Sequence, residues 1–406
     1  MNTTPDLPLT GIRVIDLSRA LAGPHCTALL ADLGADVIKV ESSRGGDPSR
    51  AWPPFDGEHS LYYESINRNK RSVAVDLYSA EGIAVLDALI AGGDALVENF
   101  KPGTLAKMGY TEERLRELNP ELVLASVSGY GDRGPLRDRP GLDQVIQAVS
   151  GISSVTGPVG SSGYRVGLSI VDLTSGMTAA IGLLGALLGR ARGRSVSRVS
   201  TSLYETALSL SVFQGQGAIT NGVAPAPQGN DHPTITPYGV YQTSTDPIVV
   251  AVTTEAHWRA LCVSIDAEEL LTDARFGSGR ERTASRAELN RIVNERLATA
   301  DAESWIELLN GVGIPCGAIL DYAQVMAHPH TAALELVRET ERADGSALRL
   351  LRGPLSVDGL AAAIRRPPPA LGQHSAEVLA ELGYGAADRA ALFAAGGVLG
   401  VPEANR

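Results

Sequence analysis

The chain has 406 residues, 44% of them hydrophobic and 20% charged, with a mean hydropathy near zero. This is ordinary globular composition and enough chain for two cores, since single cores usually stop growing at about 250–300 residues. The formal net charge of -11 argues against a general nucleic-acid binder or a membrane-surface protein. The lysines (Lys39, Lys70, Lys101 and Lys107) all fall in roughly the first quarter, which marks a candidate anion site there. The cysteines, Cys26, Cys262 and Cys316, are odd in number and widely separated, so no disulfide framework is expected. The opening stretch MNTTPDLPLTGIRVIDL carries charges where a signal peptide needs an apolar run. The longest apolar run, Met177–Leu188, is too short and glycine-rich to span a bilayer. A reducing, cytoplasmic setting without a membrane is the expectation.

In chain order, GIRVIDLSRALAGPHCTALLADLGADVIKVE (11–41) reads as strand, helix, strand. Apolar β-branched residues fill Val14–Leu17 and Val37–Val40, Pro24 suits a first helical turn, and Gly34 suits a helix end. Further short strands follow at 72–77, 95–100 and 122–131, separated by helical stretches at 81–91 and 112–118. Strands alternating with helices imply a parallel sheet covered on both faces. A helix rich in Gly and Ala is expected over 173–188, able to pack closely on a neighbour. PAPQGNDHP (225–233) reads as a linker. Beyond it come a hairpin in YGVYQTSTDPIVVAV, helices at 255–263 and 287–297, and a helix then strand in WIELLNGVGIPCGAILD. The tail adds a hairpin within 339–357, a Pro-rich crossing and a terminal helix.

Several familiar chemistries are missing. The first strand–helix–strand unit ends in an acid, Glu41, but its turn, SRALAGP, holds one glycine, Gly23. Dinucleotide binding there needs G-x-G-x-x-G, so that the backbone can approach a pyrophosphate. A G-x-x-x-x-G-K-[ST] phosphate loop and a G-x-S-x-G elbow are also absent. His328 and His330 flank Pro329 and read as a surface turn, so no metal site is expected. Asp172, in IVDLTSGM, admits two readings. It suits a helix N-cap, bonding the amide of Thr174 or Ser175. It also suits a nucleophile, because Gly176 removes bulk one turn on and helix-terminal amides can stabilise developing negative charge.

Taken together, the motifs GIRVIDLSRALAGPHCT, INRNKRSVAVDL, VENFKPGTL, LASVSGYG, RVGLSIVDLTSGM, HPTITPYGVYQT and LGQHSAEVLAELGY resemble the family III CoA-transferases, the CaiB/BaiF group. The likeness runs from Leu9 to about Leu392. It implies an interlocked homodimer, each chain with a Rossmann-like α/β large domain built from both chain ends and a smaller α+β domain. The expected division is a large domain over 1–215, a linker at 216–234, a small domain at 235–326, and a return segment at 327–406 that completes the large domain. The resemblance makes Asp172 the catalytic residue, acylated by an acyl-CoA. A small carboxylic acid is the acceptor, and no cofactor is needed beyond the CoA being moved. It also implies CoA contacts at Ala20, Leu21, Val75, Tyr78, Asn99, Phe100, Lys101 and Lys107.

The pattern departs from formate/oxalate members, which carry Gln at Leu21, Tyr at Leu142 and a glycine-run loop where this chain reads APQGNDHPTITPY. Trp52 does match an aromatic near their acyl pocket. Trp52, Leu142 and Arg165 are the expected acyl-pocket residues, and Arg165 or Arg19 is a candidate partner for a second carboxylate. An α-methylacyl-CoA racemase of the same fold needs two acid/base groups. Its histidine position holds Leu142, in PGLD, and leucine cannot shuttle a proton. A catalytically silent CoA-binding protein is the remaining alternative.

Overall fold

The computed structural model describes residues 7–400. Residues 1–6, where the stretch read as lacking a signal peptide begins, lie outside the described residues. The chain divides into two compact units: residues 7–150, 166–216 and 332–400 form one, and residues 151–165 and 217–331 form the other. The second unit is wider than the expected 235–326 and takes in 151–165, a glycine- and serine-rich loop with no periodicity to assign it.

In the larger unit six parallel strands build the sheet: β1 (Arg13–Asp16), β2 (Asp36–Ser42), β3 (Lys70–Val75), β4 (Ala95–Glu98), β5 (Val123–Ser128) and β6 (Arg198–Ser202). Their order is 3-2-1-4-5-6, with a short antiparallel strand, Val398–Leu399, added beyond β3. This is the doubly wound nucleotide-fold order, in which the chain changes direction between β1 and β4 and opens a crevice at their carboxyl ends. Alternation decides the two faces. Ile15, Ile38, Val73 and Leu96 pack against Val85, Leu86, Leu89 and Ile90 of α2 (Ala80–Ala91). The opposite face receives α1 (Ala22–Asp32) and α6 (Ile170–Ala191). Between these lie α3 (Thr104–Lys107), α4 (Glu112–Leu118) and α5 (Asp143–Val149).

Two expectations are corrected here. Lys39 and Lys70 form no anion site, because both are fully buried and already paired. Lys70 Nζ lies 3.1 Å from Asp16, and Lys39 Nζ lies 2.9 Å from Asp47 Oδ2. An internal charge is tolerated only when paired and hydrogen-bonded, so these lysines are part of the core. The second correction concerns the glycine-rich helix. It runs from Ile170 to Ala191, longer at both ends than 173–188. Among the described residues it is the one helix long and apolar enough to cross a membrane, yet it is built into the α/β unit. A Cβ on Gly176 would come within 2.5 Å of Ala22 O on α1, and one on Gly182 within 2.5 Å of Val199 on β6. The small residues let α6 sit closely on both.

The smaller unit carries a three-stranded antiparallel sheet, Tyr238–Tyr241, Ile248–Ala251 and Cys316–Ala318, with Ile248–Ala251 in the centre. Its core is helical, with Trp258, Leu261, Phe276, Leu289, Val293 and Trp305 all buried.

Candidate active site

Asp172 is not the cap of its helix. The helix begins at Ile170, so Asp172 stands at its third position, half-buried and in the first turn. The cap comes from elsewhere in the chain. Asp143, the first residue of α5, accepts the Val171 N–H at 2.8 Å and the Asp172 N–H at 3.2 Å through its Oδ1. Its Oδ2 accepts the Gln147 side-chain N–H at 2.6 Å, and Gln147 Oε1 in turn accepts the Val166 N–H at 2.8 Å. Asp143 therefore caps the first turn in place of the residue before it, and the Asp172 carboxylate itself is bare of hydrogen bonds among the described residues. Burial first, and the Asp143 charge second, raise Asp172 from 3.8 to about 7. A carboxylate this basic, still largely ionised just above neutrality, is an unusually strong oxygen nucleophile.

Around it stands Tyr62, whose hydroxyl is pushed up to about 12 by burial and then by the charges of Asp172, Asp47 and Asp143. It remains a proton donor at any working pH. Trp52 packs edge-on against Tyr62, with ring centroids 5.2 Å apart. One turn along α6, Gly176 brings Asp172's helix onto Ala22, His25 and Cys26 of α1. Helix α1 springs from the β1–α1 turn at the point where the sheet order reverses.

A cavity of about 250 Å³ opens at that reversal, lined by Leu17, Ser18, Arg19, Tyr78, Phe100 and Met108 among others. Two aromatic walls each carry a guanidinium: Arg19 lies 4.9 Å from the Phe100 centroid and Arg44 5.8 Å from that of Tyr78. Flat apolar faces beside cations suit a purine and its phosphates.

The expected CoA positions distribute unevenly over this geometry. Phe100 and Tyr78 line the cavity, and Tyr78 is 88% exposed. Ala20 forms the turn at its edge, with φ +65°, and Leu21 stands at the N-cap position just before α1. Asn99 spends both ends of its amide on the backbone of Arg19. Lys101 borders a different cavity, about 350 Å³, at the carboxyl ends of β4, β5 and β6, and Lys107 is exposed at the end of α3. Val75 lies on β3 with its side chain wholly buried in the core. Leu142 is 73% exposed and directly precedes Asp143. Arg165 is exposed in the smaller unit. Sequence reasoning missed Asp143, Gln147, Tyr62 and Arg44. The PGLD segment held the Asp143 signal, but the comparison with racemases singles out Leu142 beside it.

The 3-2-1-4-5-6 sheet, a glycine-poor first turn and a bare, basic carboxylate define a Rossmann-type α/β protein without a glycine-rich phosphate-binding turn. The chain belongs to CoA-transferase family III, whose family model matches residues 9–375. It is 38% identical over 389 residues to an acyl-CoA transferase of Fusarium pseudograminearum, covering 93% of this chain and 85% of that one. It is 35% identical over 382 residues to the succinate–glutarate CoA-transferase of Agrobacterium fabrum, covering 92% and 96%. The crystal structure of a CaiB/BaiF family protein from Brucella suis superposes with a TM-score of 0.81 at 32% identity, covering 93% of this chain and all of that one.

Proposed function

We propose that this protein transfers CoA from an acyl-CoA, with succinyl-CoA the favoured donor, to a small dicarboxylic acid by way of Asp172. The bare state of the Asp172 carboxylate carries the proposal. One Asp172 oxygen attacks the thioester carbonyl, the C–S bond breaks, and CoA leaves as thiolate, giving a mixed anhydride. The thiolate then attacks the aspartyl carbonyl, expelling the donor acid as its carboxylate and leaving an aspartyl-CoA thioester. The acceptor carboxylate attacks that thioester and frees the thiolate again. Attack of the thiolate on the acceptor's carbonyl forms the new acyl-CoA and restores Asp172. No water and no net proton enter the sequence, so a site that excludes water protects both intermediates. The name of the Agrobacterium relative supports the dicarboxylate choice.

The CoA itself is proposed to lie along the Phe100–Tyr78 cavity, with Arg19 and Arg44 facing its phosphates. No other cofactor is invoked, and the setting is taken to be cytoplasmic. The working form is proposed to be a homodimer: Met177, Ile181 and Leu188 of α6 are exposed, Ile181 by 71%, and a second copy would cover them. The test mixes succinyl-CoA with C4–C6 dicarboxylic acids and follows new acyl-CoA by chromatography. Product from the native chain and none from Asp172→Ala supports the reading. Solvent deuterium entering an acyl-CoA α-position without any acceptor acid would favour the racemase. Binding of CoA with neither reaction would leave a silent CoA-binding protein.

A further inference from the structure

We infer that Asn99 is a positioning residue whose side chain locks the β1–α1 turn into the shape the CoA cavity needs. The inference rests on the proposed use of that cavity for CoA. In dinucleotide-binding folds this turn presents glycine amides to a pyrophosphate. Here side chains of the chain itself occupy those amides. The Ser18 N–H donates to Asp16 Oδ1 at 2.9 Å, the Arg19 N–H to Asn99 Oδ1 at 2.8 Å, and the Ala20 N–H to Asp47 Oδ1 at 3.1 Å. The two carbonyls of Ser18 and Arg19 are also engaged, by Lys39 Nζ at 2.9 Å and Asn99 Nδ2 at 2.7 Å. Asn99 thus adds one more rung between β4 and β1, just past the Leu17 N–H to Val97 O bond of 2.9 Å.

The clamp has a reason. Ala20 is held at φ +65°, a left-handed conformation that alanine adopts only at a cost and glycine adopts freely. Such a conformation persists only where the surroundings over-determine it. The turn fixes two things at once. It lays the Arg19 guanidinium over Phe100, and it sets the first turn of α1, whose Ala22 O lies against Gly176 on the nucleophile's helix. Gly23 closes it, since a Cβ there would fall 2.2 Å from Ser18 Cβ. Asn99 is the member to perturb, because removing Asp47 would strand the buried Lys39 charge and threaten folding.

The experiment measures coenzyme A binding by calorimetry, and amide exchange of the peptide covering residues 13–25, in four proteins: native, Asn99→Ala, Ala20→Gly and the double variant. Asn99→Ala should weaken coenzyme A binding about tenfold and speed exchange in the turn, whereas the same substitution made on top of Ala20→Gly should weaken it less than about threefold. The double variant should recover most of the lost affinity, because glycine holds the turn without the clamp. A purely structural role for Asn99 gives no such rescue. Equal binding by native and Asn99→Ala proteins, or a loss that Ala20→Gly does not relieve, overturns the inference while leaving the CoA reading intact. A native protein that ignores coenzyme A, with a turn that still loosens in Asn99→Ala, overturns the CoA reading and leaves the clamp standing.

Discussion

Replacing Asp143 with asparagine tests how the chain prepares its nucleophile. The rise at Asp172 from 3.8 to about 7 has two causes, burial and then the Asp143 charge. At about 1.36 kcal/mol per pH unit, that rise is worth roughly 4 kcal/mol. Burial is the larger cause, so Asp143 supplies less than half, up to about 2 kcal/mol or about 1.5 pH units. An asparagine in its place would keep an oxygen for the Val171 and Asp172 amides, and lose only the bond to Gln147 unless that side chain turns over. The folding cost should stay near about 1 kcal/mol. The assay is kcat/KM for CoA transfer between pH 4.5 and 9, which reports the free enzyme's ionisations. In the native chain the rate should climb with pH to an inflection near 7, because the carboxylate must be ionised to attack. In Asp143→Asn the inflection should fall by roughly 0.5–1.5 pH units, and the plateau should drop because the nucleophile is less basic. An inflection that stays in place or moves upward refutes the reasoning.

Other consequences follow from the same geometry. Asp172→Asn should raise the melting temperature at pH 8 and leave it unchanged near pH 4. The folded-state pKa of Asp172 lies above its unfolded value, so the native chain loses stability as pH rises from about 4 through 7, and the substitution removes that loss. Were Asp172 a cap after all, thermal denaturation would show a loss of about 1 kcal/mol instead. Gly176→Ala would drive a methyl to within 2.5 Å of Ala22 O and should cost about 1–3 kcal/mol in urea unfolding, with reduced turnover, as α6 and α1 are forced apart. Arg44→Ala should raise KM for acyl-CoA several-fold and flatten its dependence on ionic strength, leaving kcat little changed; an unaltered KM would remove Arg44 from the phosphate site.

The sheet was largely legible because its buried strands are short β-branched runs between helical stretches. The strand Arg198–Ser202 was not, since RVSTS is polar and only its last residue is buried. The two-residue edge strand Val398–Leu399 offers no periodicity at all. At the site, the Asp172 residue type and the small residues after it admit both a cap and a nucleophile. Its bareness could not be read there, because the competing cap comes from Asp143, 29 positions earlier. The charged residues misled for a related reason. A lysine in sequence carries no mark of burial, and Lys39 and Lys70 find their partners only once the fold brings Asp47 and Asp16 to them.

The most direct measurement incubates the protein with an acyl-CoA and hydroxylamine, then locates the modified residue by peptide mass spectrometry. A hydroxamate on Asp172, absent without acyl-CoA and absent in Asp172→Ala, is the expected result. Modification at another side chain, or an unmodified Asp172 in a preparation that still turns over, contradicts the covalent role of this aspartate.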